Sequence, residues 1–205
     1  MHPRVSELIK LRFDAQKSDE WLRLRGKMLT ASDVATALGD NPYESRQSLI
    51  LKKCFKAKNG FNGNDATRHG EKYENEAREI YCSRTGEKAH DLGLVQHQTI
   101  DWLGGSADGI TENGILLEIK CPMKRAIKDE VPKYYLPQIQ ILLEVLDMEV
   151  CDFIQYKPAE VFEIEEFVVT RVQRDREWFK TKYPILKNFW DEVIYRRSNG
   201  LCDII

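Results

Sequence analysis

Apolar residues recur at helical spacing through the first third of the chain. Val5, Leu8, Ile9 and Leu11, then Trp21, Leu22 and Leu24, predict helix over residues 5–24. Thr30 with Asp33 three positions on, ahead of an apolar stripe that stops at Gly39, reads as a capping box and a helix end. Residues 45–57 predict another helix, and residues 56–70, rich in Gly and Asn, a surface loop. In residues 70–85, Tyr73, Ala77, Ile80 and Tyr81 share a helical face, and Gly86 follows as a stop.

The period then changes. Residues 92–100 are β-rich, and the short apolar runs around the glycines of WLGGSADGITENGILLEIKCP read as strands of a meander or hairpin. Residues 134–147 return to helical period, with Pro137 in the first turn, which places the helix start near Tyr135 or Leu136. CDFIQYKP and VFEIEEFVVTRV predict two more strands. A long amphipathic helix follows over 173–197, carrying Trp178, Phe179, Leu186, Phe189, Trp190 and Val193. Strands gathered between helical segments predict an α/β (α+β) fold, a central mixed sheet flanked by helices. The expected organisation is a single domain over 1–205, with an N-terminal helical segment 1–60 packed on a core of 65–197.

Composition narrows the function classes. With 205 residues, 42% hydrophobic and 31% charged, and a mean hydropathy of −0.50, the chain is neither disordered nor membrane-embedded. Thirty-one Lys and Arg against 33 Asp and Glu exclude a polybasic mode of nucleic-acid binding, while leaving a local basic track open. No apolar run approaches the roughly 18 residues of a spanning helix. The opening MHPRVSELIKLRFD lacks a signal-peptide core, so an intracellular location is expected. Five scattered cysteines without CxxC argue against a zinc ribbon, and the four histidines show no HExxH. A catalytic metal is therefore expected to take oxygen ligands, which favours Mg2+ or Mn2+.

The strand ILLEIKCP carries the sharpest chemistry. Side chains alternate along a strand, so Ile115, Leu117 and Ile119 share one face, and Leu116, Glu118 and Lys120 the other. Glu118 and Lys120 then lie about 7 Å apart along the strand. Taken alone they read as an exposed pair. Asp108 stands ten residues earlier, and Asp-Gly alone is a turn signal. Together, two carboxylates at the ends of adjacent strands can hold a divalent cation, with the lysine beside a scissile phosphate. Glu74 adds a third carboxylate or an i,i+4 partner for Arg78. Gln138 opens the following helix, either as a surface residue or facing the attacking water. Arg25 and Ser32 bracket a helix N-terminus, an anion site or an ordinary cap. Ser106 can donate to a phosphate. Lys120, Lys124, Arg125 and Lys128 form a basic run that suits a nucleic-acid backbone or a solvated surface.

Five segments in register give these residues a resemblance. RGKMLTAS (25–32), GEKYENEAR (70–78), SADG (106–109), LEIKCP (117–122) and YLPQIQ (135–140) resemble the lambda exonuclease / YqaJ-type viral recombinase family, within the PD-(D/E)xK nuclease superfamily. Ala107 stands where the superfamily signature has proline. The resemblance implies a restriction-endonuclease-like core and an Mg2+-dependent deoxyribonuclease, with Mn2+ as a possible substitute. It implies Asp108, Glu118 and Glu74 as metal ligands, Lys120 and Gln138 beside the nucleophile, and Arg25, Ser32 and Ser106 on a 5′-terminal phosphate. Lys124 and Arg125 would meet the DNA backbone. The implied substrate is linear double-stranded DNA, cut 5′→3′ from its ends to leave 3′ single strands for recombination. The implied partners are DNA ends, a single-strand annealing protein and a homotrimer, with no membrane, in the cytoplasm or nucleus of a host. The rivals are an endonuclease or 3′-directed nuclease of the same fold, a non-catalytic DNA-end-binding module, and a structural domain whose charges are surface pairs worth about 0–1 kcal/mol each.

Overall fold

The computed structural model describes residues 1–11, 18–54, 65–159 and 164–200. The predicted helix over 5–24 is two helices, α1 (Pro3–Leu8) and α2 (Asp19–Gly26), with 12–17 outside the described residues. Ser18 starts α2, its hydroxyl accepting from the Trp21 amide at 3.2 Å. A two-residue strand β1 (Leu29–Thr30) leads through a 3-10 turn into α3 (Val34–Leu38), which ends on Gly39 at φ +83° as expected. The capping box takes another form. Thr30 donates its hydroxyl to the Asp33 carboxylate at 2.7 Å, side chain to side chain, and Asp33 turns toward Lys53. Helix α4 covers Arg46–Cys54.

Helix α5 runs Asp65–Thr85, so residues 65–70 are helical where a loop was expected, and 55–64 lie outside the described residues. Strands β2 (Ala89–His90), β3 (Val95–Gln96), β4 (Leu103–Gly105), β5 (Gly109–Thr111) and β6 (Ile115–Lys120) follow. Then come α6 (Leu136–Leu146), β7 (Val150–Lys157), β8 (Glu166–Gln173) and α7 (Arg176–Ser198). Pro137 sits in the first turn of α6, as predicted, after a 3-10 turn over Lys133–Tyr135.

Five strands form the central sheet in the order β2-β5-β6-β7-β8. The β6–β7 pair is parallel, joined by α6 as the crossover, and the other pairs are antiparallel. β5 and β6 make the expected hairpin. β4 does not join it: it pairs with β1 and β3 in a separate three-stranded sheet. The chain therefore switches sheets between Gly105 and Gly109, and Asp108 lies in that switch.

Strand alternation divides the core. Leu116 packs with Leu29, Leu103, Ile139, Leu142 and Phe189 on the face covered by α6 and α7. Leu117 and Ile119 pack with Ala77, Tyr81 and Tyr156 on the face covered by α5. Val5 and Leu8 of α1 belong to the first cluster. Buried Asp152 on β7 is held under α5 by the Tyr81 hydroxyl at 2.7 Å and by both arms of Arg171 from β8. Among the described residues no helix is long and apolar enough to cross a membrane.

Candidate active site

Glu118 is fully buried, on the α6 face of β6. One of its carboxylate oxygens accepts from both the Lys120 ammonium and the Gln138 amide, the latter at 2.6 Å. Its other oxygen, Oε2, has no hydrogen-bond partner. Burial, then the nearby Asp108 charge, push the Glu118 carboxyl up to about 8, against the pull of Lys120. Such a group favours any further cation brought to it.

Asp108 is fixed at the start of the hairpin. Its amide donates to the Leu117 carbonyl at 3.1 Å, and its Oδ2 accepts from the Ile119 amide at 2.6 Å. Burial raises its pKa, while Lys120 and the Ile119 amide oppose the rise. Arg78 of α5 reaches the Asp108 carbonyl at 3.4 Å and also pairs with Asp91. Lys120 is three-quarters buried, with its ammonium 5.3 Å from the centre of the Tyr135 ring. Burial works against its charge, but Glu118 and Asp108 outweigh that and raise its pKa.

Glu74 arrives from α5, on the opposite face of the sheet. Its charge adds to the pressure on Glu118, and after burial it is the main influence raising the Cys121 thiol to about 12. Asp108, Glu118, Lys120 and Gln138 thus meet at one end of β6, and Glu74 acts on them through its charge from α5. Among the described residues no group of three or more His, Cys, Asp or Glu side chains is placed to hold a metal ion. One or two carboxylates with an orphan oxygen suit Mg2+, which completes its shell with water and phosphate oxygens rather than with a protein cage. The orphaned Oε2 of Glu118 is the observation that fits.

A second group of predicted residues assembles nearby. Arg25 donates to the Ser32 hydroxyl at 2.9 Å, and its guanidinium lies 4.5 Å from the Trp21 ring centre. The parallel register pairs Thr30 with Gly104, so Ser32 and Ser106 each lie two residues beyond a paired position, at the same end of β1 and β4. Ser106 Oγ donates to the Leu92 carbonyl at 3.4 Å. Beneath them is a feature the sequence did not disclose. Buried Lys53 of α4 pairs with Asp33 at 2.7 Å and donates to the carbonyls of Arg25 and Met28 at 3.0 Å each. Burial lowers the Lys53 pKa against the pull of Asp33. Burial also works against the charge on Asp33, yet Lys53 and Arg25 hold its carboxyl below the ordinary range. Arg197 of α7 ties the Gly26 and Lys53 carbonyls at 2.6 and 2.9 Å. The only hint in the sequence was a lone lysine on the apolar face of a helix.

The basic run divides. Lys124 is exposed. Arg125 turns inward, donating to the amide oxygen of buried Gln155 at 2.7 Å, so it is not a freely exposed backbone contact.

Comparison with known proteins bears on this arrangement. The family model described as "YqaJ-like viral recombinase domain" matches residues 20–149. A protein of Acanthamoeba polyphaga mimivirus is 33% identical over 183 residues, covering 80% of this chain and 33% of that protein. An African swine fever virus protein is 30% identical over 154 residues, covering 61% of this chain and 44% of its own length. The chain thus spans a third to under half of these viral relatives. Among solved structures, an alkaline exonuclease from Laribacter hongkongensis superposes with a TM-score of 0.77 at 29% identity, over 89% of this chain and 95% of that one. The same enzyme has been solved in complex with dAMP, and this second structure matches at 28% identity with a TM-score of 0.77. A phage-related exonuclease from Haemophilus somnus shares the fold, with a TM-score of 0.60 at 13% identity, over 82% of this chain and 96% of its own. The expected fold class is borne out: a mixed sheet flanked by helices, the PD-(D/E)xK-type fold of the alkaline exonuclease.

Proposed function

The chain belongs to the YqaJ-like viral recombinase domain family, and from that membership we propose that it is a metal-dependent exodeoxyribonuclease, which hydrolyses linear double-stranded DNA from 5′ ends and leaves 3′ single strands. The observation that carries the reading is Glu118, fully buried, with one oxygen held by Lys120 and Gln138 and the other left without a partner.

Each residue has a role in this reading. Asp108 and Glu118 would hold Mg2+, or Mn2+ in its place, with Glu74 supporting the ion or its water, and the bound ion would supply Lewis-acid relief of charge on the phosphate. The Ile119 amide keeps the Asp108 carboxylate aimed from the hairpin. Lys120 keeps a positive charge in a partly buried site, where it stabilises charge growing on the scissile phosphate more strongly than it would in water. Gln138 orients the Glu118 carboxylate from α6. Arg25, Ser32 and Ser106 would receive the 5′-terminal phosphate, the first two already hydrogen-bonded to each other. Lys124 would meet the backbone of the same strand. A homotrimer and an annealing partner, acting inside a host cell, belong to the same reading and rest on the family.

The test is an end-labelled linear duplex with Mg2+, run beside a closed circle, with 5′-phosphate and 5′-hydroxyl ends compared. The linear 5′-phosphorylated duplex is degraded, the circle survives and EDTA stops the reaction. Lys120→Ala lowers turnover by about three orders of magnitude, the size of effect expected for removing a charge that acts in the transition state, with its circular dichroism unchanged. Cutting of the circle would instead mark an endonuclease. Equal rates on both ends, with Arg25→Ala matching wild type, would remove the 5′-phosphate assignment.

A further inference from the structure

Lys53 of α4 is buried, and its ammonium is fully used. An ammonium has three donors, and this one has three acceptors: the Asp33 carboxylate at 2.7 Å and the Arg25 and Met28 carbonyls at 3.0 Å each. A buried ion pair is a poor way to gain stability, because apolar side chains of similar volume do as well or better once both charges have been taken out of water. Its place in the fold points to another use. It lies beneath the Arg25 guanidinium and the Ser32 hydroxyl, the two groups already hydrogen-bonded to each other. We propose that Lys53 and Asp33 are positioning residues that set the preference for a phosphorylated over a hydroxyl 5′ end, a role that rests on the reading of Arg25 and Ser32 as the 5′-phosphate site.

The hydrogen bonds above the pair run in one direction. Thr30 gives its only hydroxyl proton to Asp33 at 2.7 Å. In the 3.3 Å contact between the Thr30 and Ser32 oxygens, Ser32 is therefore the donor. Arg25 Nη2 in turn donates to Ser32 at 2.9 Å. The chain from Arg25 through Ser32 and Thr30 thus ends on the Asp33 carboxylate, and an ionised acceptor at its end fixes its direction. Lys53 holds the backbone of the same unit, since its bonds to the Arg25 and Met28 carbonyls tie the end of α2 to Asp33. Side chain and main chain of Arg25 are then both anchored to one buried pair.

Charge adds to the geometry. Arg25 and Asp33 are near enough to attract each other. An unpaired Asp33 would cancel the charge that Arg25 offers to a phosphate. Lys53 engages that carboxylate directly, so the three groups together keep a net positive charge.

Anisotropy titrations in metal-free buffer compare 5′-phosphorylated with 5′-hydroxyl duplexes, so binding is read without turnover and a protein that never cuts still answers. Wild type favours the phosphorylated end. Lys53→Met leaves Asp33 buried alone and costs stability as well as preference. Asp33→Asn combined with Lys53→Met removes both charges together and keeps the fold, which a thermal melt checks. In this double variant the phosphorylated end binds about tenfold more weakly, while the hydroxyl end, which a general loss of packing would also affect, binds as it does to wild type. Lys53→Met alone loses more, because its Asp33 still opposes Arg25. Equal affinity of wild type for both ends would overturn the 5′-phosphate reading and this role with it. A wild-type preference that survives in the double variant would overturn the role alone and leave Arg25 and Ser32 in place. Equal weakening at both ends, or a double variant that does not fold, would make the pair a structural brace and overturn the role as well.

Discussion

At the scale of the residue, Glu118 couples the chemistry to stability. Its carboxyl rises from an ordinary 4.5 to about 8 through burial and the Asp108 charge. The folded, metal-free protein therefore binds this proton more tightly than the unfolded chain does. The stability from this group is complete below about pH 4.5 and is lost as pH rises through about 8. Gln at 118 has no proton to lose. In EDTA, the stability of wild type relative to Glu118→Gln falls by roughly 2–4 kcal/mol between pH 5 and pH 9. Urea unfolding of both proteins across that range measures it, and excess Mg2+ at the upper pH restores the difference. A gap that stays constant with pH would show that Glu118 is ionised throughout and that its burial is compensated elsewhere.

At the scale of the element, the site depends on a strand that the pattern placed in the wrong sheet. β4 leaves the hairpin because Gly104 and Gly105 allow it to lie against β1, β3 and α6. A Cβ on Gly104 would collide with the Met28 sulfur and come within 2.9 Å of the Val95 carbonyl. Gly104→Ala thus strains β4 and the switch that carries Ser106 and Asp108. It lowers Tm by roughly 3–10 °C in a thermal melt, and lowers turnover with it. An unchanged Tm would mean that β4 shifts freely. Much of the site itself could be read in the sequence. Period-two alternation put Glu118 and Lys120 on one face, and Pro137 fixed the start of α6 and so the position of Gln138. The rest depended on contacts far apart in sequence. Nothing local announces that Lys53 meets Asp33, that Arg125 turns to Gln155, or that residues 65–70 extend α5 rather than a loop. Glycine and asparagine content suggested that loop, but residues 65–70 are the first turns of the helix whose later residues, Ala77 and Tyr81, pack against β6.

At the scale of the whole molecule, charge decides how the chain holds DNA. The net charge is −2, and many cations are already engaged: Arg174 with Glu144 and Asp147, Arg171 with Asp152, Lys53 with Asp33. These ion pairs brace β8, α6 and α4 and offer little to a phosphate. Among the described residues, the cations that the proposed reading gives to DNA phosphates are Arg25, Lys120, Lys124 and Lys128. Each phosphate neutralised contributes about −0.9 to the slope of log K against log salt, so a slope of about −3 to −4 is expected. Affinity then falls by about a hundredfold between 50 and 200 mM salt. Fluorescence anisotropy of a 5′-phosphorylated duplex in metal-free buffer measures it. Arg25→Ala reduces the slope by about one, and does so only when the 5′ phosphate is present, because that contact is to the end and not to the backbone. A slope near zero would leave these side chains without a phosphate to meet. A slope near −8 would require a basic track elsewhere on the molecule.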